Sequence, residues 1–311
     1  MNFQLSPVLP PLKVLVVNPL SPAGRLVIIK IMSGTVFGSN QLIDLILLVY
    51  SNEKPSAKEY KVELKSSAFS CMNSVEISSD LPSFSDADVF CFITNFSNPN
   101  RMDFENIDTD TFDELYLIIK IANSLIKPVP KPEPVENPVV FKKKGVKVFP
   151  KLRKPIIFSD GLVAMDILMT LSQNVLLSSC KNPYGCIYKA SNFAKSLQTI
   201  WSARSSGDGI KVYCNLGVIS DGSLGTIKGY PCVLPLVFVE DNWTVNKRFE
   251  ETPHLQLEIK RINKAVKDHH LKMIPYCKKF IEDNIINQAF IPDDESGSTY
   301  ALSEKSSLTT V

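Results

Sequence analysis

Imidazoles, thiolates and paired carboxylates are the side chains that most often move protons or bonds near neutral pH, and in this chain they are few and scattered. The histidines are His254, His269 and His270, all in or beside one long charged stretch at 253–284. That stretch reads as a helix with no carboxylate pair evident around it, so the three imidazoles are expected to be exposed and no catalytic residue is assigned. The cysteines are Cys71, Cys91, Cys180, Cys186, Cys214, Cys232 and Cys277. Even the nearest pair, Cys180 and Cys186, has neither zinc nor redox spacing, which predicts reduced, mostly core thiols and no metal centre. A third candidate is the turn Asn18–Pro19–Leu20–Ser21–Pro22–Ala23–Gly24. A turn that cradles phosphates is glycine-rich, because the backbone must bend tightly and offer free N–H groups at a helix start. Pro19 and Pro22 have no N–H to offer.

The elements around that turn give it meaning. Residues 12–17, LKVLVV, have the length and branching of a buried strand, and 25–32 carry apolar residues on a helical face, so the chain opens as a βαβ unit. A second apolar strand spans 42–50, followed by a polar loop at 51–56. A helix at 57–69, a strand at 74–80, and an acidic turn leading into a buried strand at 84–94 come next. This order predicts a parallel sheet covered on both faces. Residues 111–126 read as a helix that stops before Pro128, and 155–168 read as strand, turn and helix. Between them, 128–154 is rich in proline and lysine and is expected to be extended and exposed. Helices are expected to end near 173 and to run over 187–204. Alternating strands around the GVISDG turn at 217–222 predict an antiparallel sheet packed on helices. Residues 291–311 are polar and serine-rich, a mobile tail.

Composition narrows the function classes. The formal net charge of +2 on 311 residues argues against general nucleic-acid binding, and 44% hydrophobic content is enough for a sizeable core. No apolar run is long enough to cross a bilayer, since even 42–49 is broken by Asp44, and residues 1–11 show no secretory signal. The expectation is a cytoplasmic protein with no membrane and no nucleic-acid partner.

Several phrases in combination resemble the malate dehydrogenase family, and its cytosolic type in particular, in a divergent branch. MSGTVFG at 32–38 with LIDLILLVY at 42–50 resembles that family's opening. FSDADVFCFIT at 84–94 resembles the phrase that introduces the strand below the active-site loop. VYCNLGVISDGSLG at 212–225 and YPCVLPLVFVEDNWTV at 230–245 follow its C-terminal half. The resemblance implies an α/β fold with a Rossmann-type parallel sheet and a mixed α+β C-terminal domain. It divides the chain into a tail at 1–11, an NAD-binding-type domain at 12–160 carrying the 128–154 insertion, a C-terminal domain at 161–290 and the tail at 291–311.

The family's reaction is NAD-dependent interconversion of malate and oxaloacetate in a homodimer, with helices 57–69 and 187–204 at the interface. Phe193, Leu197, Ile200 and Trp201 would serve either that interface or the core of one chain. Residue by residue, the resemblance places Asn18, Ser21 and Gly24 in the phosphate turn and Val49 at the family's ribose-binding Asp. It places Asp160 where the family's Asn meets nicotinamide and substrate. Arg101 remains in the substrate loop without its basic neighbours, and is either a carboxylate ligand or a solvated side chain. Ser220 is either near the substrate pocket or a turn-stabilising hydroxyl. The segment bearing the catalytic Asp, a substrate Arg and the catalytic His is reduced to 174–186. These departures predict a pseudoenzyme serving as a structural or interaction protein with an unknown protein partner. The alternatives are a divergent NAD-dependent oxidoreductase, or an incompletely spliced or mispredicted version of an active gene that lacks the catalytic segment.

Overall fold

The structure, a computed structural model, describes residues 10–79, 86–105, 107–126, 155–172, 176–179, 185–205, 209–239, 242–249 and 253–282. Residues 1–9, the insertion at 128–154, Cys180 and the tail at 291–311 lie outside them.

The opening run folds as β1 (Leu12–Val17), with every residue but Lys13 buried. It pairs in parallel with β2 (Ile43–Leu48) on one side and β4 (Val89–Phe92) on the other. β3 (Met72–Ser78) extends the sheet beyond β2, and β5 (Ile156–Ser159) extends it beyond β4, both in parallel. Continuous apolar strands of this kind are stable only with both faces covered, and the alternation of side chains along β1 shows how that is done. Val14 and Val16 enter one core with α1 (Pro22–Met32), α2 (Lys54–Ser66) and α5 (Gly185–Ser205). Leu15 and Val17 enter the other with α3 (Thr109–Ile126), α4 (Leu162–Ser172) and α6 (Pro253–Ile281).

One strand was not expected from the sequence. β6 (Leu176–Ser178), a three-residue piece of the shortened 174–186 segment, pairs in parallel with β5 and antiparallel with β7 (Val212–Ile219). It thereby welds the antiparallel meander β7, β8 (Pro231–Val239) and β9 (Asn242–Val245) onto the parallel sheet. The result is one nine-stranded sheet in the order β3-β2-β1-β4-β5-β6-β7-β8-β9. The expected polar loop at 51–56 is also tighter than its composition suggests. A single 3-10 turn at Ser51–Glu53 leads directly into α2, with Pro55 in the first helical turn, where the missing N–H costs nothing.

Phe193, Leu197, Ile200 and Trp201 are all buried within the chain's own core. Trp201 meets Phe37 edge-on at 5.0 Å between ring centroids, and Phe193 meets Phe158 at 4.7 Å. The intrachain alternative for these four residues is therefore the one the fold uses. Of the cysteines, Cys71, Cys91, Cys232 and Cys277 are buried, Cys214 is intermediate and Cys186 exposed.

Candidate functional site at the carboxyl edge of the sheet

In open α/β sheets ligands bind where strand order reverses, beyond the carboxyl ends of the strands. Here that edge is formed by the ends of β1, β4 and β5. Ser21 caps α1, its Oγ accepting from Gly24 N at 3.1 Å and donating to Asn18 O at 2.8 Å. Asn18 adopts a left-handed backbone (φ 53) to make the bend. Gly24 is obligatory for a physical reason, because a Cβ there would lie 2.3 Å from Asn18 O. Helix α1 and the end of β1 thus approach closely at this turn.

What sits in front of the turn is not phosphate-friendly. Asn18 Nδ2 donates to Glu114 Oε1 at 2.5 Å and to Ile93 O at 2.9 Å, and Asn95 Nδ2 donates to Glu114 Oε2 at 3.3 Å. Glu114, from α3, is 6% exposed. It was not singled out from the sequence, although one signal was available: it lies on the apolar stripe with Ile118, Ile121 and Ala122. Val49, following β2, is 1% exposed, and its N donates to Ser78 O at 3.0 Å, leaving an apolar side chain at the expected ribose position.

Asp160, which the resemblance places where the family's Asn meets nicotinamide and substrate, is turned to partners within the protein. It is itself neutralised within the protein: Lys189 Nζ of α5 lies 2.6 Å from Asp160 Oδ2 and also donates to Thr94 O. Thr94 N donates to the same carboxylate at 2.8 Å, and Thr94 Oγ1 donates at about the same reach. Burial pushes the Asp160 carboxyl above its ordinary value, while Lys189 and Thr94 pull it back. Lys189 was not anticipated, since nothing in its neighbourhood in sequence marks it as a partner for a residue so far away.

The loop after β4 is fastened across the start of α4. Pro99 O accepts from Val163 N at 2.9 Å, Asn100 Oδ1 accepts from Leu162 N at 3.2 Å, and a Cβ at Gly161 would meet Pro99 O at 2.3 Å. Arg101 is exposed on this loop. Its charge reaches His269, for which it disfavours protonation.

The expectation of exposed, carboxylate-free histidines is corrected here for two of the three. His254 is exposed. His270 Nδ1 lies 2.8 Å from Asp166 Oδ1 of α4, the side chains being 14% and 2% exposed. His269 Nε2 accepts from Met102 N at 3.0 Å, and its ring lies 5.0 Å from that of Phe104. The reason is tertiary: α6 folds back over α4 and the loop after β4, so partners distant in sequence become neighbours. The hydrogen bond to Asp166 raises the His270 pKa, whereas burial lowers that of His269. Tyr230 closes over His270 at 5.1 Å between centroids. Burial pushes the Cys277 thiol up to about 12, so it is no thiolate nucleophile near neutral pH.

Ser220 takes the turn-stabilising alternative. It is buried, its Oγ is 2.5 Å from Thr226 Oγ1, and it accepts from Gly222 N at 2.9 Å. Among the described residues no group of three His, Cys, Asp or Glu could hold a metal, and no helix is long and apolar enough to cross a membrane.

No protein-family profile matches the sequence, and no curated protein matches it either. Solved structures do match. A malate dehydrogenase from Naegleria fowleri aligns with a TM-score of 0.62 at 13% identity, over 89% of this chain and 99% of its own. A Trichomonas vaginalis lactate dehydrogenase in complex with NADH and oxamate aligns at 0.61 and 12%, over 86% and 99%. A Plasmodium falciparum malate dehydrogenase in complex with NADH aligns at 0.52 and 8%, over 86% and 99%. At such identities the likeness is one of architecture, and it agrees with the strand order and the doubly covered sheet described above. The chain has a lactate/malate dehydrogenase-like fold built on a Rossmann-type sheet.

Proposed function

We propose that this chain is a malate dehydrogenase-like pseudoenzyme of the cytosolic type, a cytoplasmic protein that acts through binding to other proteins rather than through hydride transfer. The observation that carries this reading is the Asn18–Glu114 contact of 2.5 Å at the end of β1. A pyrophosphate at this turn would bring negative charge against a buried carboxylate, and Asn18 would have to exchange its present partners for it. The other positions at this edge point the same way. Pro22 supplies no N–H at the helix start, Val49 supplies no acceptor for a ribose hydroxyl, and Asp160 and Lys189 satisfy each other. The residues present do not fit NAD as a resident cofactor.

The same reading keeps a homodimer. Ile29, Val62, Ile187 and Tyr188 are exposed large apolar side chains on α1, α2 and α5, the helices that share one face of the sheet.

A second reading, a divergent NAD-dependent oxidoreductase with weak or altered activity, is favoured by the His270–Asp166 pair. An imidazole held by a carboxylate is what proton abstraction from a hydroxyl requires. One titration separates the two. Thermal melting in NADH up to about 1 mM is expected to leave the transition unmoved, because a ligand that binds only the folded state must stabilise it once its concentration exceeds Kd. A dose-dependent rise in melting temperature together with malate-dependent NADH formation would establish the second reading instead.

A further inference from the structure

α6 is 29 residues long and its two sides are chemically opposite. One side carries Ile259, Met273 and Cys277, all buried against the body. At about 100° per residue this fixes which side chains face water. Lys260, Lys264, Lys267 and Lys278 form one exposed row, and Arg261, Lys272 and Lys279 form a second. Leu257 lies between the rows and Leu271 within the first of them, 66% and 51% exposed. The acids on this helix are Glu258, which pairs with Arg261 at 2.8 Å, and Asp268. Seven cations against two acids on one helix, in a chain whose totals are 34 and 32, concentrate positive charge on this face.

We infer that the outer face of α6 is a docking surface for an acidic amphipathic helix of a protein partner. This inference rests on the reading of the chain as an interaction protein. Lys260 and Lys264, and likewise Lys264 and Lys267, stand at helical spacings where like charges repel. An acidic partner relieves that repulsion and gains the pairing. Leu257, Lys264, Leu271 and Lys278 recur every seven residues, which suits a second helix lying along the first, with its apolar side chains against the leucines and its acids against the lysines that alternate with them. Nucleic acid is disfavoured because, among the described residues, the exposed side chains of this face include no Phe, Tyr or Trp on which a base could stack. A lipid surface is disfavoured because two leucines over this length give little apolar area to bury.

The test uses the full chain and a synthetic helical peptide of about three heptads, with leucines at seven-residue spacing flanked by glutamates. Fluorescence anisotropy is expected to show saturable binding to the peptide, and little binding to a control with lysine in place of glutamate. The triple variant K260E/K264E/K267E, changed only on the exposed face, is expected to weaken binding at least tenfold. So is raising the salt from about 0.1 M to 0.5 M, which screens exposed charges. L257E/L271E is expected to weaken it as well. Absence of peptide binding by protein with a normal melting transition would overturn the inference. So would binding that the charge reversal leaves unchanged, or tighter binding to phosphatidylserine vesicles or duplex DNA. NADH-dependent stabilisation alongside intact peptide binding would overturn the pseudoenzyme reading and leave the docking surface standing.

Discussion

Asp160 and Asp166 sit within two helical turns of each other, and each is paired with a basic side chain supplied by a later helix. The first pair is a buried ion pair, the kind for which removing one partner is far costlier than replacing both. Lys189→Met, which strands a buried carboxylate, carries a penalty of about 3–5 kcal/mol by the general behaviour of such pairs.

The second pair has a legible pH signature. The folded pKa of His270 is raised by Asp166, so its stabilisation is complete below the unfolded histidine value of about 6.5 and is lost as pH rises through the folded value. His269 is shifted down by burial and has the opposite dependence: its stabilisation is complete above about 6.5 and is lost as pH falls through its folded value. Asp166→Asn abolishes the first effect and largely leaves the second. The melting-temperature advantage of the unsubstituted protein over D166N is therefore expected to shrink as pH is raised from about 6.5 to 8.5. An advantage that is constant across this range contradicts the pairing.

At the scale of elements, the informative junction is between the loop after β4 and the first turn of α4. Helix starts leave N–H groups unpaired, and here loop acceptors on Pro99 and Asn100 satisfy those of Val163 and Leu162. The junction depends on the absence of a side chain at Gly161. Gly161→Ala forces backbone apart and is expected to destabilise the fold by about 1–3 kcal/mol, the usual range for overpacking. It should also speed hydrogen exchange of the Leu162 and Val163 amides. Exchange at the parent rate would show that the loop is not fastened there. β6 is instructive in the other direction: three residues, too short to announce themselves, join two sheets that the sequence presents as separate units.

For the whole molecule, α1, α2 and α5 share a face on which several large apolar side chains remain in water, while Phe193 and Trp201 have been drawn inward. Large apolar side chains exposed on helices of one face are what the proposed homodimer would cover. Sedimentation at micromolar concentration is expected to give a dimer, and V62E/I187E a monomer of unchanged fold. A monomer from the unsubstituted chain would remove the homodimer from the proposed function.

The amino-acid sequence by itself determined the strand and helix order of the parallel half, the glycine at the α1 turn and the absence of an N–H at Pro19 and Pro22. These follow from local periodicity and backbone sterics, which neighbouring residues report. It also contains two acids embedded in apolar helical stripes, Glu114 in α3 and Asp166 in α4. Only the tertiary structure decided what those acids meet. Asn18 comes from the first turn, His270 from the last helix and Lys189 from the helix after the shortened segment. An ion pair or hydrogen bond depends on distance in space, and that distance is set when α3, α4, α5 and α6 pack against the sheet. Until then nothing in the local pattern distinguishes a solvated lysine or histidine from one that fills the edge of the sheet.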